Sequence, residues 1–238
     1  MILNIRASFP KISLKITTCI LCVLLWSCGE DTSKKSPEEV TNEEALETTT
    51  ETANTTKTIV FFGDSLTAGY GLDNSNDAYP ALIQATIDSL QLNYTVVNSG
   101  LSGETTSGGR SRIDWVLNQN VDVFVLELGA NDGLRGITLS ETRENLQAII
   151  DAVKAKYPTA TIILAGMQLP PNLGQEYTAE FKTIFDELAE INQLEIIPFL
   201  LKDVGGIPNL NLADGIHPNE AGQKIVAKNV WEVLGPLL

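Results

Sequence analysis

Histidine occurs once in these 238 residues, as His217, and that scarcity narrows the available chemistry more than any abundance does. Cysteine is nearly as rare, and Cys19, Cys22 and Cys28 all fall within the first 28 residues. Beyond them the chain has no disulfide to staple it and no thiolate to hold zinc. An all-carboxylate cation site would remain, yet no loop has the Asp-x-Asp-x-Asp-Gly spacing that calcium favours. No metal and no cofactor is therefore expected. Positive charge is also in deficit, with 16 Lys and Arg against 30 Asp and Glu and a net charge of −14. Binding phosphates needs a basic face, so no nucleic-acid partner is expected.

Long apolar runs are missing except for one near the start. Arg6, Lys11 and Lys15 precede an apolar stretch over residues 16–26. At about eleven residues this is too short to cross a bilayer as a helix and matches the core of a cleaved export signal. Leu25-Trp26-Ser27-Cys28 places a small residue before a cysteine and resembles the lipobox of bacterial lipoproteins, although Trp26 is bulky for its place. That resemblance implies lipidation at Cys28 and a membrane-anchored lipoprotein in the periplasm or on the cell surface. The alternatives are a plain secretory leader cut nearby or an uncleaved anchor. Residues 29–57 are Glu/Thr-rich, with eight acids against three bases, and read as a disordered tether that cannot bury enough surface to offset its ordering entropy.

Residues 58–238 are enough for one domain with a sizeable core. Apolar runs at 58–62, 94–98, 122–128, 161–167 and 195–200 predict five strands. Helical patterns lie between them, the arrangement of repeated βα units around a parallel sheet. The third run, Val123-Phe124-Val125-Leu126, is apolar on both faces and belongs in the centre, whereas Pro198 puts the fifth at an edge. Leu146, Ile149, Ile150 and Val153 form the core stripe of a helix expected to start after Ser140 as N-cap. Phe181, Ile184, Phe185 and Leu188 give the next helix the same face, and a last helix starts near Asn219. The expected architecture is an α/β fold, a three-layer α/β/α sandwich with a five-stranded parallel sheet.

Four segments fall where such a sheet gathers its ligands, at the carboxyl ends of strands or in the loop before the last helix. They are Gly63-Asp64-Ser65-Leu66, Asn98-Ser99-Gly100-Leu101-Ser102-Gly103, Gly129-Ala130-Asn131-Asp132, and Asp214-Gly215-Ile216-His217-Pro218. A serine hydroxyl needs a base with a pKa near 7, and His217 is the only imidazole on offer. In their order the segments resemble the four blocks of the GDSL, or SGNH, hydrolase family, most closely its bacterial thioesterase I, lysophospholipase and arylesterase-like subfamily. The likeness runs from about residue 59 to the end, with Ala130 where close relatives often carry glycine. It implies the flavodoxin-like sandwich of that family and a serine hydrolase acting on ester bonds. No Gly-x-Ser-x-Gly elbow surrounds Ser65, which disfavours an α/β-hydrolase.

By that resemblance Ser65 is the nucleophile, His217 the base and Asp214 the acid that orients the imidazole. The oxyanion hole consists of the Ser65 and Gly103 backbone N–H groups and the Asn131 amide. Each residue also has a structural reading: Ser65 or Asn131 as a helix cap, Gly103 as a turn residue, Asp214 as the first residue of a turn. Asp64 and Asp132 read as structural hydrogen-bonders, and Glu127 as a buried acid of no evident purpose. In the subfamily the loop after the fourth strand borders the acyl pocket. Here that implies Leu169, Pro170, Asn172 and Leu173 as substrate contacts, an ordinary surface connection being the alternative. Expected substrates are small acyl esters, thioesters or lysophospholipids. A carbohydrate O-deacetylase on the same fold and a non-catalytic surface binding protein are the competing functions. Activity should fall as pH drops through the ordinary imidazole range, about 6 to 7.

Overall fold

The computed structural model describes residues 55–238. The leader, Cys28 and all but the last three residues of the expected tether lie outside the described residues. Five strands form one parallel sheet: β1 (Lys57–Gly63), β2 (Tyr94–Gly100), β3 (Val123–Glu127), β4 (Thr161–Ala165) and β5 (Glu195–Ile197). Their spatial order is β2-β1-β3-β4-β5. The sandwich expected from the sequence is thus the observed one, with β3 at the centre and β5 at an edge. β1 starts at Lys57, one residue inside the expected tether. β5 stops at Ile197 because Pro198 has no N–H to continue the ladder, so the strand is shorter than the apolar run that encodes it.

Seven α-helices cover the sheet among the described residues: α1 (Ser65–Ala68), α2 (Tyr79–Ser89), α3 (Thr106–Val116), α4 (Ala130–Leu134), α5 (Leu139–Lys156), α6 (Gln175–Asn192) and α7 (Glu220–Leu234). α3 packs on α5 and α5 on α6, while α2 packs on α7. These two sets form the outer layers. α7 is capped as its sequence suggests, with Asn219 Oδ1 accepting from Ala221 N at 3.0 Å and Gly222 N at 3.1 Å. The expected Ser140 cap is corrected: α5 begins at Leu139 with Thr138 as N-cap, because Leu139 is buried and Ser140 faces solvent. α3 has few apolar residues and two adjacent glycines, which hides it from a periodicity reading. Gly109 is needed because a Cβ there would run into Leu128 and Phe62.

β1 and β3 supply the middle of the core, with Ile59, Val60, Phe61 and Phe62 against Val123 to Leu126, all buried. The Phe61 ring meets Tyr79 edge to face at 5.4 Å, and Phe181 meets Phe185 at 5.3 Å on the other side. Such pairs add about 1 kcal/mol each beyond their buried area. This packing fixes the carboxyl ends of β1 and β3, after which Ser65 and Asn131 follow.

Candidate active site

The connections leave β1 and β3 in opposite directions across the sheet, since β1 leads to β2 on one side and β3 to β4 on the other. That divergence opens a crevice at their carboxyl ends. Gly63 closes β1, and a side chain there would collide with Thr67 and Glu127. Asp64 then caps α1, its Oδ1 accepting from Leu66 N at 3.0 Å. The cap role that competed for Ser65 therefore falls to Asp64, and Ser65 Oγ turns toward the crevice, with only 8% of the residue exposed.

His217 comes from the opposite end of the chain, in the loop between β5 and α7. Leu212 N donates to His217 O at 2.8 Å, Asn219 N donates to Leu210 O at 3.0 Å, and Asn211 pairs with Pro218 in an antiparallel bridge. Within this clamp Asp214 Oδ1 accepts from Ile216 N at 2.9 Å and His217 N at 3.0 Å. Its other oxygen lies 2.7 Å from His217 Nδ1, and His217 Nε2 lies 2.9 Å from Ser65 Oγ. A carboxylate only accepts, so Nδ1 carries the hydrogen and Nε2 is left to accept from the serine. Burial is the largest single influence and raises the Asp214 carboxyl, but the His217 and Ile216 N–H groups and the His217 ring together outweigh it and hold the carboxyl down at about 2. The Tyr70 ring lies against the imidazole, with centroids 4.6 Å apart. Tyr70 is not singled out by the sequence, because an aromatic five residues after Ser65 carries no spacing signal of its own.

The third and fourth blocks converge on the same crevice. Asn131, in the first turn of α4, donates through Nδ2 to Asp64 Oδ2 at 2.9 Å. Gly103 has φ +79, a left-handed conformation that side chains resist, which places its peptide in a tight turn after β2. Arg135 joins the two: its Nη2 donates to Gly103 O at 2.9 Å and reaches Asn131 Oδ1 at 3.5 Å. The N–H groups of Ser65 and Gly103 donate to no acceptor among the described residues. Arg135 was missed by the sequence reading, although it lies only four residues beyond Asn131, one helical turn away.

Asp64 and Asp132 have the hydrogen-bonding roles expected of them. Asp132 Oδ2 accepts from Thr106 N at 2.8 Å and its other oxygen takes the Thr106 and Thr142 hydroxyls, pinning α3 and α5 to α4. Burial pushes the Asp64 carboxyl up to about 6, against the Leu66 N–H and the Asn131 amide, which favour its charged form.

The four residues named in the loop after β4 divide. Leu169 is buried against Gly133, whereas Pro170, Asn172 and Leu173 are exposed. The loop itself is shorter than expected, because Pro171–Leu173 forms a 3-10 turn and α6 begins at Gln175. Tyr177 ties α6 back to the α4 segment, its hydroxyl donating to Ile137 O at 3.2 Å.

A serine within hydrogen-bond reach of an imidazole, at the carboxyl edge of a five-stranded parallel sheet, defines the class as a serine hydrolase of the three-layer type. The family model of GDSL-like lipases/acylhydrolases matches residues 61–225. The chain belongs to that family. It is 39% identical over 183 residues to esterase TesA of Pseudomonas aeruginosa, covering 76% of this chain and 90% of that protein. It is 37% identical over 182 residues to thioesterase 1/protease 1/lysophospholipase L1 of Escherichia coli, covering 76% and 85%. Among solved structures it superimposes with a TM-score of 0.71 on the psychrotrophic esterase EstA from Pseudoalteromonas inhibited by monoethylphosphonate. That pair is 30% identical, with 76% of this chain and 98% of the other covered.

Proposed function

We propose that this protein is an exported, lipid-anchored esterase that cleaves acyl esters, and also acyl thioesters or lysophospholipids, through an acyl-enzyme at Ser65. The observation that carries the reading is the continuous hydrogen-bonded chain Ser65 Oγ, His217 Nε2, His217 Nδ1, Asp214 Oδ2, with links of 2.9 and 2.7 Å. As Ser65 Oγ attacks the acyl carbon, its proton passes to Nε2, and Asp214 stabilises the imidazolium that forms. The carbonyl oxygen takes up negative charge. The free N–H groups of Ser65 and Gly103, with the second N–H of the Asn131 amide, are the donors suited to it. When the tetrahedral species collapses, His217 returns the proton to the departing alcohol or thiol. Water then repeats the sequence on the acyl-enzyme.

The substrate range rests on the relatives, which include an esterase, a thioesterase/lysophospholipase and an arylesterase. Leu173, exposed in the 3-10 turn after β4, is the apolar contact assigned to the acyl chain, with Pro170 and Asn172 around it. Export and anchoring rest on the leader and on Cys28. The test is labelling of the purified protein by a fluorophosphonate probe, followed by a panel of lysophosphatidylcholine, palmitoyl thioester and acetylated xylan. Labelling that disappears in Ser65→Ala, with hydrolysis of either of the first two substrates, is the expected result. A folded wild-type protein that takes no label rejects the enzyme reading. Turnover of acetylated xylan alone moves the function to carbohydrate deacetylation.

A further inference from the structure

Directly beneath the serine turn lies an acid that the reaction as described does not use. Glu127 ends β3, is completely buried, and sits opposite Gly63 in the β1–β3 register. Its Oε2 accepts from Asp64 N at 3.1 Å and from the Thr67 hydroxyl at 2.8 Å. The Thr67 hydroxyl in turn lies 2.7 Å from the Tyr79 hydroxyl. One hydrogen is available on Thr67 for Glu127, so Tyr79 donates to Thr67 and Thr67 donates to Glu127. With two donors aimed at it, Oε2 is the carbonyl oxygen of the group, and a proton on this acid resides on Oε1. Oε1 is buried with no hydrogen-bond partner among the described residues.

An ionised carboxylate with one oxygen bare, fully buried and next to a second carboxylate, is strongly disfavoured, whereas the neutral acid leaves one uncharged hydroxyl unpaired, which costs less than a bare buried charge. Burial, and then the negative charge of Asp64, push the Glu127 carboxyl well above the usual carboxylate range. The titratable groups facing it are Asp64 from the turn after β1 and Tyr79 from α2. Two neighbouring carboxyls cannot both ionise cheaply, so a proton on Glu127 is what leaves Asp64 free to carry the charge. That charge holds one N–H of the Asn131 amide, while Arg135 reaches its oxygen. An amide pinned at both ends presents its remaining N–H in a fixed direction.

We propose that Glu127 is a positioning residue for the reaction: held as a neutral acid, it fixes the Asp64 peptide and keeps the Asp64 carboxylate charged, and through that carboxylate it aims the Asn131 amide at the developing oxyanion. The inference rests on the assignment of Ser65 and Asn131 under the proposed function. It differs from a purely structural role in predicting that the effect of Glu127 on turnover passes through Asn131.

The experiment is a double-mutant cycle read by kcat and KM on p-nitrophenyl butyrate, with fluorophosphonate labelling of wild type as the control for the underlying reading. Glu127→Gln, neutral and of the same shape, should keep kcat within about threefold. Glu127→Leu should lower kcat by about ten- to thirtyfold with KM changed less than twofold. In an Asn131→Ala background the same substitution should cost less than about threefold, because the residue it acts through is already gone. If circular dichroism shows Glu127→Leu unfolded, Glu127→Asp, whose shorter arm withdraws the carboxyl from Asp64 N, goes through the same cycle under the same criteria. Equal losses in both backgrounds, a Glu127→Gln variant as impaired as Glu127→Leu, or an unchanged kcat in the folded Leu or Asp variant overturns the proposal. Wild-type protein that fails to label overturns the assignment of Ser65 instead.

Discussion

Asp64 and Asp214 both border the crevice at the carboxyl ends of β1 and β3, and their surroundings drive them in opposite directions. Asp214 stands in a loop, half-exposed, with two backbone N–H groups on one oxygen and the imidazole on the other, and its carboxyl is held at about 2. Asp64 is 1% exposed beneath the serine, with a second acid against it, and burial lifts its carboxyl to about 6. The same side chain thus keeps its charge far into the acid range in one place and only from about neutral pH upward in the other. What separates them is the number of donors per oxygen and the water each retains, which no residue count along the chain contains.

The widest separation should come from turnover. Asp214→Asn removes the acceptor that fixes the His217 tautomer and is expected to lower kcat by roughly a thousandfold or more. A loss below tenfold on nitrophenyl esters would break the contrast from that side. Asn131→Ala, which deletes the partner of Asp64 and the proposed donor to the oxyanion, should cost about a hundred- to a thousandfold in kcat with little change in KM. A KM effect in place of a kcat effect would remove Asn131 from the oxyanion hole and leave it only its bond to Asp64.

Stability against pH sharpens the comparison further, because the two acids should give slopes of opposite sign. The folded Asp64 carboxyl is raised from 3.8 to about 6, so between those values the native state binds more protons than the unfolded chain. Its contribution to stability is therefore present at low pH and declines as pH rises through that window. The folded Asp214 carboxyl is lowered from 3.8 to about 2, so its contribution is present above the unfolded value and declines as pH falls through the folded one. Urea unfolding of wild type, Asp64→Asn and Asp214→Asn at pH 3, 5 and 7 measures both. Asp64→Asn should gain on wild type as pH rises from 4 to 7, and Asp214→Asn should gain as pH falls below 4. Parallel curves for all three would remove the distinction. The smallest expected effect is that of Leu173→Ala. It should shift preference from octanoyl toward acetyl nitrophenyl esters by a few-fold, and an unchanged chain-length profile would return the loop after β4 to the role of a surface connection.

Much of this arrangement is legible along the chain where one chemical constraint fixes one residue. A lone imidazole, a glycine-aspartate-serine step after a strand and an Asp-x-x-His turn before a helix each keep their meaning without knowledge of the neighbours. β1 and β3 are legible because burial on both faces demands an unbroken apolar run. What escapes is whatever depends on contacts between distant segments. α3 is set by Gly109 fitting under Leu128 and Phe62, and so lacks a strong apolar stripe. The N-cap of α5 moves from Ser140 to Thr138 because the core claims Leu139. Arg135 and Tyr70 become meaningful only when Gly103 and His217 are brought beside them. Glu127 looks like a misplaced charge in a central strand until its Oε2 is seen against Asp64 N and the Thr67 hydroxyl.

Acid and base share one short turn, Asp214 to His217, clamped at its roots by Leu212, Asn211 and Asn219. Serine, amide and buried carboxyls belong instead to the rigid end of the sheet. Displacement of that single turn would carry the whole proton-handling half away intact, leaving the electrophile-binding half undisturbed. The seating of this one turn against the sheet edge, and not the surroundings of Ser65 alone, therefore sets whether the hydrogen-bonded chain to Ser65 exists.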